Sequence, residues 1–193
     1  NNSFVSVFSN PVAGKTVVLV DTGNLGTSMA KLVAPLSVNI IGVNKRGGIT
    51  EGCSKVISID KIDTVLPDAD FLYLAVPETP ETKNLISKER LNMLKPTCGI
   101  VNIGRQSVMD YDVLCEKLSN DEIAGAILDV FTHEPIEKNS KLWNIPNLVI
   151  TPHVSSDDNG NYVKLTLDIF IKNLKLFIEN KELSNQVDKK LGY

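Results

Sequence analysis

Short apolar runs alternate along this chain with segments of helical spacing. Thr16-Val17-Val18-Leu19-Val20 is apolar and largely β-branched, as a strand buried on both faces should be. After a turn bearing glycines, Leu25, Met29, Leu32, Val33 and Leu36 recur at helical spacing. The pattern predicts strands over 38–43, 70–76, 98–103, 123–128 and 148–151, and helices over 59–66, 87–94 and 110–118. Ser87 is the expected N-cap of its helix, with Arg90 at the fourth place of a weak capping pattern.

Such alternation means βαβ units, hence a Rossmann-type, doubly wound parallel sheet with helices on both faces. Ligands of such sheets bind beyond the carboxyl ends of the strands, where strand order reverses. The loops after Val20, Val43, Val76, Ile103, Leu128 and Thr151 are therefore where chemistry is expected. Residues 157–180 differ: Val163, Leu165, Leu167, Ile169, Phe170, Leu174, Leu176 and Phe177 give a long helix with a broad apolar surface, which has to pack on something.

Composition narrows the classes without naming one. The 193 residues carry a net charge of −3 with no long run of one sign, which argues against nucleic acid or an anionic membrane as partner. The expected setting is cytoplasmic, since no apolar stretch suits a membrane span and residues 1–8 do not read as a signal peptide. Cys53, Cys98 and Cys115 are odd in number and widely spaced, so reduced, buried thiols are expected, with no metal site.

The first strand runs through Asp21-Thr22-Gly23-Asn24-Leu25-Gly26 into a helix. Gly23 and Gly26 fill the second and third places of the dinucleotide fingerprint G-x-G-x-x-G, but Asp21 replaces its first glycine. At the end of the second strand, where an NAD-binding protein offers an acid to the ribose, this chain has Asn44, then Lys45 and Arg46. Without a carboxylate to repel a 2′-phosphate, and with two cations to pair with it, the reading favours NADP(H) over NAD(H).

From Val76 onward the resemblance becomes specific. Val76-Pro77-Glu78-Thr79-Pro80-Glu81-Thr82 resembles the P-x-T-x-x-T loop of D-2-hydroxyacid dehydrogenases. Asn102-Ile103-Gly104-Arg105 is similar to their N-x-x-R signature, the run Gly125 to Pro135 to their G-A-x-L-D-V-F-x-x-E-P, and Pro146 to His153 to their P-N-x-x-x-T-P-H.

That resemblance implies hydride transfer between a nicotinamide dinucleotide and a small 2-keto or 2-hydroxy acid, with glyoxylate, hydroxypyruvate, glycerate and phosphoglycerate as candidates. It implies three catalytic residues. His153 would donate the proton, Glu134 would orient the imidazole and favour its protonated form, and Arg105 would hold the substrate carboxylate through its fork of donors. The cofactor would meet Gly23, Asn24, Leu25, Gly26, Asn44, Lys45 and Arg46, the segment Val76-Pro77, Thr82, Ile103, Gly104, Arg105, His153 and Ser155. Asp129 would hydrogen-bond the carboxamide of the nicotinamide. His133 reads as a solvated neighbour of Glu134 rather than a second acid.

Members of that family place about a hundred residues before the cofactor domain, whereas here the dinucleotide strand begins at Thr16. The expected organisation is a connecting stub over 1–14 (with Phe4, Val5, Val7 and Phe8), a dinucleotide-binding domain over 15–156, and a helical segment over 157–193 returning toward a substrate domain that is absent. Little turnover is expected from this chain alone, and resemblance suggests a homodimer. The alternative reading is a non-catalytic dinucleotide sensor or scaffold of the same fold, which Asp21 would suit and the retained trio of Arg105, Glu134 and His153 opposes.

Overall fold

The computed structural model describes residues 10–188. Seven strands, β1 (Thr16–Val20), β2 (Asn39–Asn44), β3 (Lys55–Ser58), β4 (Phe71–Leu74), β5 (Gly99–Asn102), β6 (Gly125–Leu128) and β7 (Leu148–Ile150), form one sheet in the order β3-β2-β1-β4-β5-β6-β7. Every neighbouring pair is parallel. The strand order runs outward in both directions from β1 and β4, so the reversal lies between their carboxyl ends, where Val20 pairs with Leu74. This is the doubly wound sheet that the alternation of elements predicts.

The helices are α1 (Asn24–Val33), α2 (Lys88–Leu91), α3 (Tyr111–Ser119) and α4 (Tyr162–Ile178). The larger core packs Val18, Val20, Leu72, Leu74, Ile100 and Leu128 of the sheet against Ile86, Leu91, Leu114 and Leu118. Val17, Leu19, Ile40 and Ala30 form a smaller core on the other face. α3 begins on a cap that its sequence supplies, since the Asp110 carboxylate accepts the N–H of Val113 at 3.1 Å.

Several expectations need correction. β3 was not anticipated: Lys55-Val56-Ile57-Ser58 is four residues long and lies at the sheet edge, too short and polar to show a period. The helix expected over 59–66 is two 3₁₀ segments, Ile59–Thr64 and Leu66–Asp68, with Pro67 in the second. Of the apolar set expected for this helix, Met29 and Val33 pack on the smaller core, while Leu25 and Leu32 of α1 and Leu36 of the 3₁₀ turn that follows are exposed; the fully buried positions of α1 are Gly26 and Ala30. α2 covers only Lys88–Leu91, and Ser87 makes no side-chain cap, because its hydroxyl donates to Glu89. Arg90 is likewise outside any cap, bonding Asp63 and the carbonyl of Leu85. α4 starts at Tyr162, five residues later than expected, after Asp158 has ordered a turn by accepting the N–H groups of Gly160 and Asn161.

Cys98 and Cys115 are buried and free, with burial pushing the Cys98 thiol up to about 12, while Cys53 is half-buried. Phe4, Val5, Val7 and Phe8 lie outside the described residues. No helix among the described residues is long and apolar enough to cross a membrane, and no metal-binding cluster occurs among them.

Candidate active site

All the singled-out loops emerge from the carboxyl edge of the sheet, because every strand points the same way. At the reversal point β1 continues into Asp21, whose N–H donates to the carbonyl of Val43 at 2.9 Å. α1 then starts immediately, with Gly23 at its N-cap position and no side-chain cap. Gly26 is buried against that turn. A methyl group there would stand 1.9 Å from the carbonyl oxygen of Asp21, so only glycine lets helix and strand meet this closely. Asn24 and Leu25 are exposed in the first turn of the helix. The turn has the strand-to-helix form that a pyrophosphate site uses, but its Gly23 N–H already donates to the Asp21 carboxylate.

Asn44 closes β2 and folds back on its own loop. Its Oδ1 accepts the N–H groups of Arg46 and Gly47, and its Nδ2 donates to the Thr22 hydroxyl at 2.7 Å. It therefore braces the loop, and leaves Lys45 and Arg46 exposed beside the phosphate turn. The next strand end is braced likewise. The Thr82 hydroxyl donates to the carbonyl of Pro77 at 2.6 Å and accepts the N–H of the buried Thr79 at 2.8 Å, so Thr82 looks inward to its loop. Gly104 sits against β4: a methyl group there would come within 2.5 Å of the Val76 carbonyl.

The Arg105 loop is built by Asn102, which is fully buried. Its Oδ1 accepts the N–H of Gly104, and its Nδ2 donates to the Arg105 carbonyl and to the Tyr111 hydroxyl, both at 3.1 Å. Tyr111 in turn donates to the carbonyl of Val130. This chain of bonds ties the end of β5 to the end of β6. Sequence reasoning noted Asn102 within a signature and gave it no role; a polar residue ending an apolar strand is the signal that could have found it. The Arg105 side chain is exposed, with Nη1 donating to the Gly104 carbonyl.

Asp129 is buried beyond β6 and serves as a clamp. Oδ1 accepts the Thr151 hydroxyl and the N–H of Val154, and Oδ2 accepts the N–H of Ser155 at 2.9 Å. Burial opposes ionisation, but these donors outweigh it and hold the carboxyl below the ordinary Asp range. The clamp fixes the loop that carries His153, a non-glycine residue at φ +56°. There the Nδ1 of His153 lies 2.8 Å from the Oε2 of Glu134, while Oε1 accepts the N–H of Phe131 at 2.7 Å. The bond to His153, then that to Phe131, holds the Glu134 carboxyl below its usual range. His133 is exposed and lines a separate cavity of about 350 Å³ with Tyr111, Cys115 and Leu142, away from the pair.

Residues 3–155 match the family described as D-isomer specific 2-hydroxyacid dehydrogenase, NAD binding domain. The chain belongs to that family. Among its relatives, a glyoxylate reductase of Pyrococcus furiosus is 36% identical over 143 residues, covering 74% of this chain and 42% of the relative. A D-3-phosphoglycerate dehydrogenase of Synechocystis is 31% identical over 159 residues, 80% of this chain and 28% of the relative. Among solved structures, a D-isomer specific 2-hydroxyacid dehydrogenase of Xanthobacter autotrophicus in complex with NADPH and MES superposes at TM-score 0.90 with 27% identity, over 98% of this chain and 77% of that one. An NADPH-dependent glyoxylate/hydroxypyruvate reductase of Sinorhizobium meliloti, in complex with NADP and sulfate, gives 0.90 at 26% identity, over 98% and 60%. The chain thus spans under half the length of those two curated relatives. The matched family is described by its NAD binding domain, and in a doubly wound sheet the crevice between the carboxyl ends of β1 and β4 is where a ligand is expected.

Proposed function

We propose that the protein containing this chain reduces a small 2-keto acid to a D-2-hydroxy acid, and that residues 15–156 serve it as the dinucleotide domain. The observation that carries the reading is the His153–Glu134 pair at 2.8 Å, on the same sheet edge as the phosphate turn. A scaffold has no use for a histidine oriented by an ionised carboxylate.

The bound dinucleotide would supply the hydride. The chain's own residues do the rest. Glu134, kept ionised by His153 and Phe131, takes the Nδ1 side of the ring and leaves Nε2 to deliver a proton to the developing alkoxide. Arg105, on the loop braced by Asn102, takes the substrate carboxylate once its fork leaves the Gly104 carbonyl. Asp129 keeps the His153 loop in place, and to accept from the carboxamide of the nicotinamide it would exchange one of its present donors for it.

The cofactor reading favours NADP(H). Asn44 spends its side chain on the loop, no acid follows β2, and Lys45 and Arg46 are exposed where a 2′-phosphate would sit. The complexes of the two neighbours with NADPH and NADP are consistent with this.

Glyoxylate and hydroxypyruvate are the first substrates to assay, by following NADPH oxidation in the protein that carries this chain. We expect turnover, with His153→Ala lowering kcat by roughly 10²–10⁴. Turnover unchanged in His153→Ala would remove His153 as the proton donor, whereas turnover absent with every small 2-keto acid while NADPH still binds would favour the sensor reading.

A further inference from the structure

The first fingerprint position departs most from what the fold asks, and its side chain has an observable place. Asp21 adopts φ +85°, the conformation for which a glycine stands there. An aspartate is tolerated at such a φ when its short side chain bonds locally, and here Oδ1 accepts the N–H of Gly23 at 2.9 Å. The second fingerprint glycine keeps one face free of a side chain so that a pyrophosphate can approach the backbone. In this chain that face is covered: an added Cβ at Gly23 would lie 3.1 Å and 3.2 Å from the two carboxylate oxygens of Asp21.

Resting on the cofactor reading above, we propose that the Asp21 carboxylate is a resident anion in the pyrophosphate's place on Gly23, so that a dinucleotide binds only as this group is neutralised by a proton or swings out. Two anions cannot share one amide at the mouth of a crevice without strong repulsion. Burial already pushes the carboxyl of Asp21 above the ordinary range, against the pull of the Gly23 and Thr22 amides, and no charged group contributes to that shift. The charges on neighbouring strand ends are Lys45 and Arg46 beyond β2, and Glu78 and Glu81 beyond β4. Glu78 accepts from Ser107 at 2.6 Å, and Glu81 is under the influence of Lys45. Only backbone amides therefore favour the ionised form of Asp21, and an arriving pyrophosphate competes for the Gly23 amide among them. The sign follows: bound protein takes up a proton, so affinity rises as pH falls and weakens as pH rises.

The test is calorimetric titration of NADP⁺ and NAD⁺ into the protein, Asp21→Asn and Asp21→Gly, between about pH 6 and pH 8 in two buffers of different ionisation heat. NAD⁺ lacks the 2′-phosphate, whose own titration would otherwise blur the slope. The unsubstituted protein should show Kd rising by up to about tenfold per pH unit for both ligands, with proton uptake on binding. Both variants should bind more tightly at the upper pH and lose most of the slope with NAD⁺. Asp21→Gly decides if the asparagine variant folds poorly, because glycine accepts φ +85° without strain. Equal affinity of all three proteins at every pH, or weaker binding by the variants, overturns the proposal and leaves the cofactor reading intact. Absence of binding by all three overturns both.

Discussion

Single side chains carry most of the specificity argued for this site, and some were legible as residues while their bonds were not. Sequence placed Glu134 and His153 on separate loops; the structure brings them to 2.8 Å. It equally turned up the inward roles of Asn44, Thr82 and Asn102, which no spacing announces because the partners are local backbone groups. Lys45 and Arg46 carry the first prediction. Removing both, as Lys45→Ala with Arg46→Ala, should raise Kd for NADPH at least about tenfold while moving that for NADH little, since each charge-assisted bond is worth about 1.5–3 kcal/mol. Equilibrium titration with both dinucleotides checks it; an equal loss for both would mean the cations act only through general field. Asn102 carries the second. Asn102→Ala leaves the N–H of Gly104 and the hydroxyl of Tyr111 without their buried partner, and should cost about 2–3 kcal/mol in a urea melt, with a fall in kcat/KM as Arg105 loses its brace.

Elements were legible where the period was strong and long. The strands of the sheet centre read correctly because they are apolar on both faces, whereas β3 sits at the edge with only Ile57 buried. α1 was legible as a helix and in part of its inward face, since Met29 and Val33 pack on the smaller core, but its leucines are exposed and its fully buried positions are Gly26 and Ala30. Close packing here outweighs hydrophobic area. It follows that Gly26→Ala, harmless by helix propensity, should be among the more damaging single changes in the chain. The methyl group has to displace the Asp21 carbonyl or the whole helix, at a cost of about 1–3 kcal/mol, and dinucleotide binding should fall with it. Thermal melts with and without NADPH measure both. A variant of unchanged Tm that binds normally would show the turn to be softer than its geometry implies.

At the scale of the whole molecule the topology followed from the alternation of strands and helices alone, and the position of the crevice followed from the topology. What no pattern foretold is how the sheet is fastened at its two ends. Asp70, before β4, accepts the N–H of Thr16 and the Lys95 ammonium, both at 2.8 Å, joining the amino ends of β1 and β4 to the segment that leads into β5. Asp129, past β6, fastens the carboxyl end. Both carboxyls are held below the ordinary Asp range: Asp70 by the Lys95 bond and then the Thr16 amide, and Asp129, against a large cost of burial, by the Thr151 hydroxyl, the Val154 amide, and the side chain and amide of Ser155. A depressed carboxyl contributes stability that is fully present above the unfolded-state pKa and is lost as pH falls through the lower folded-state value. The molecule should therefore keep its stability down to about pH 4 and lose it steeply below. Asp70→Asn should cost about 1–2 kcal/mol at neutral pH, and the gap to the unsubstituted protein should close as acid protonates Asp70 itself. Urea melts at neutral pH and near pH 3 measure this gap directly. A gap that persists in acid would mean that the substitution acts through packing, and that the charge of Asp70 is not what fastens the sheet.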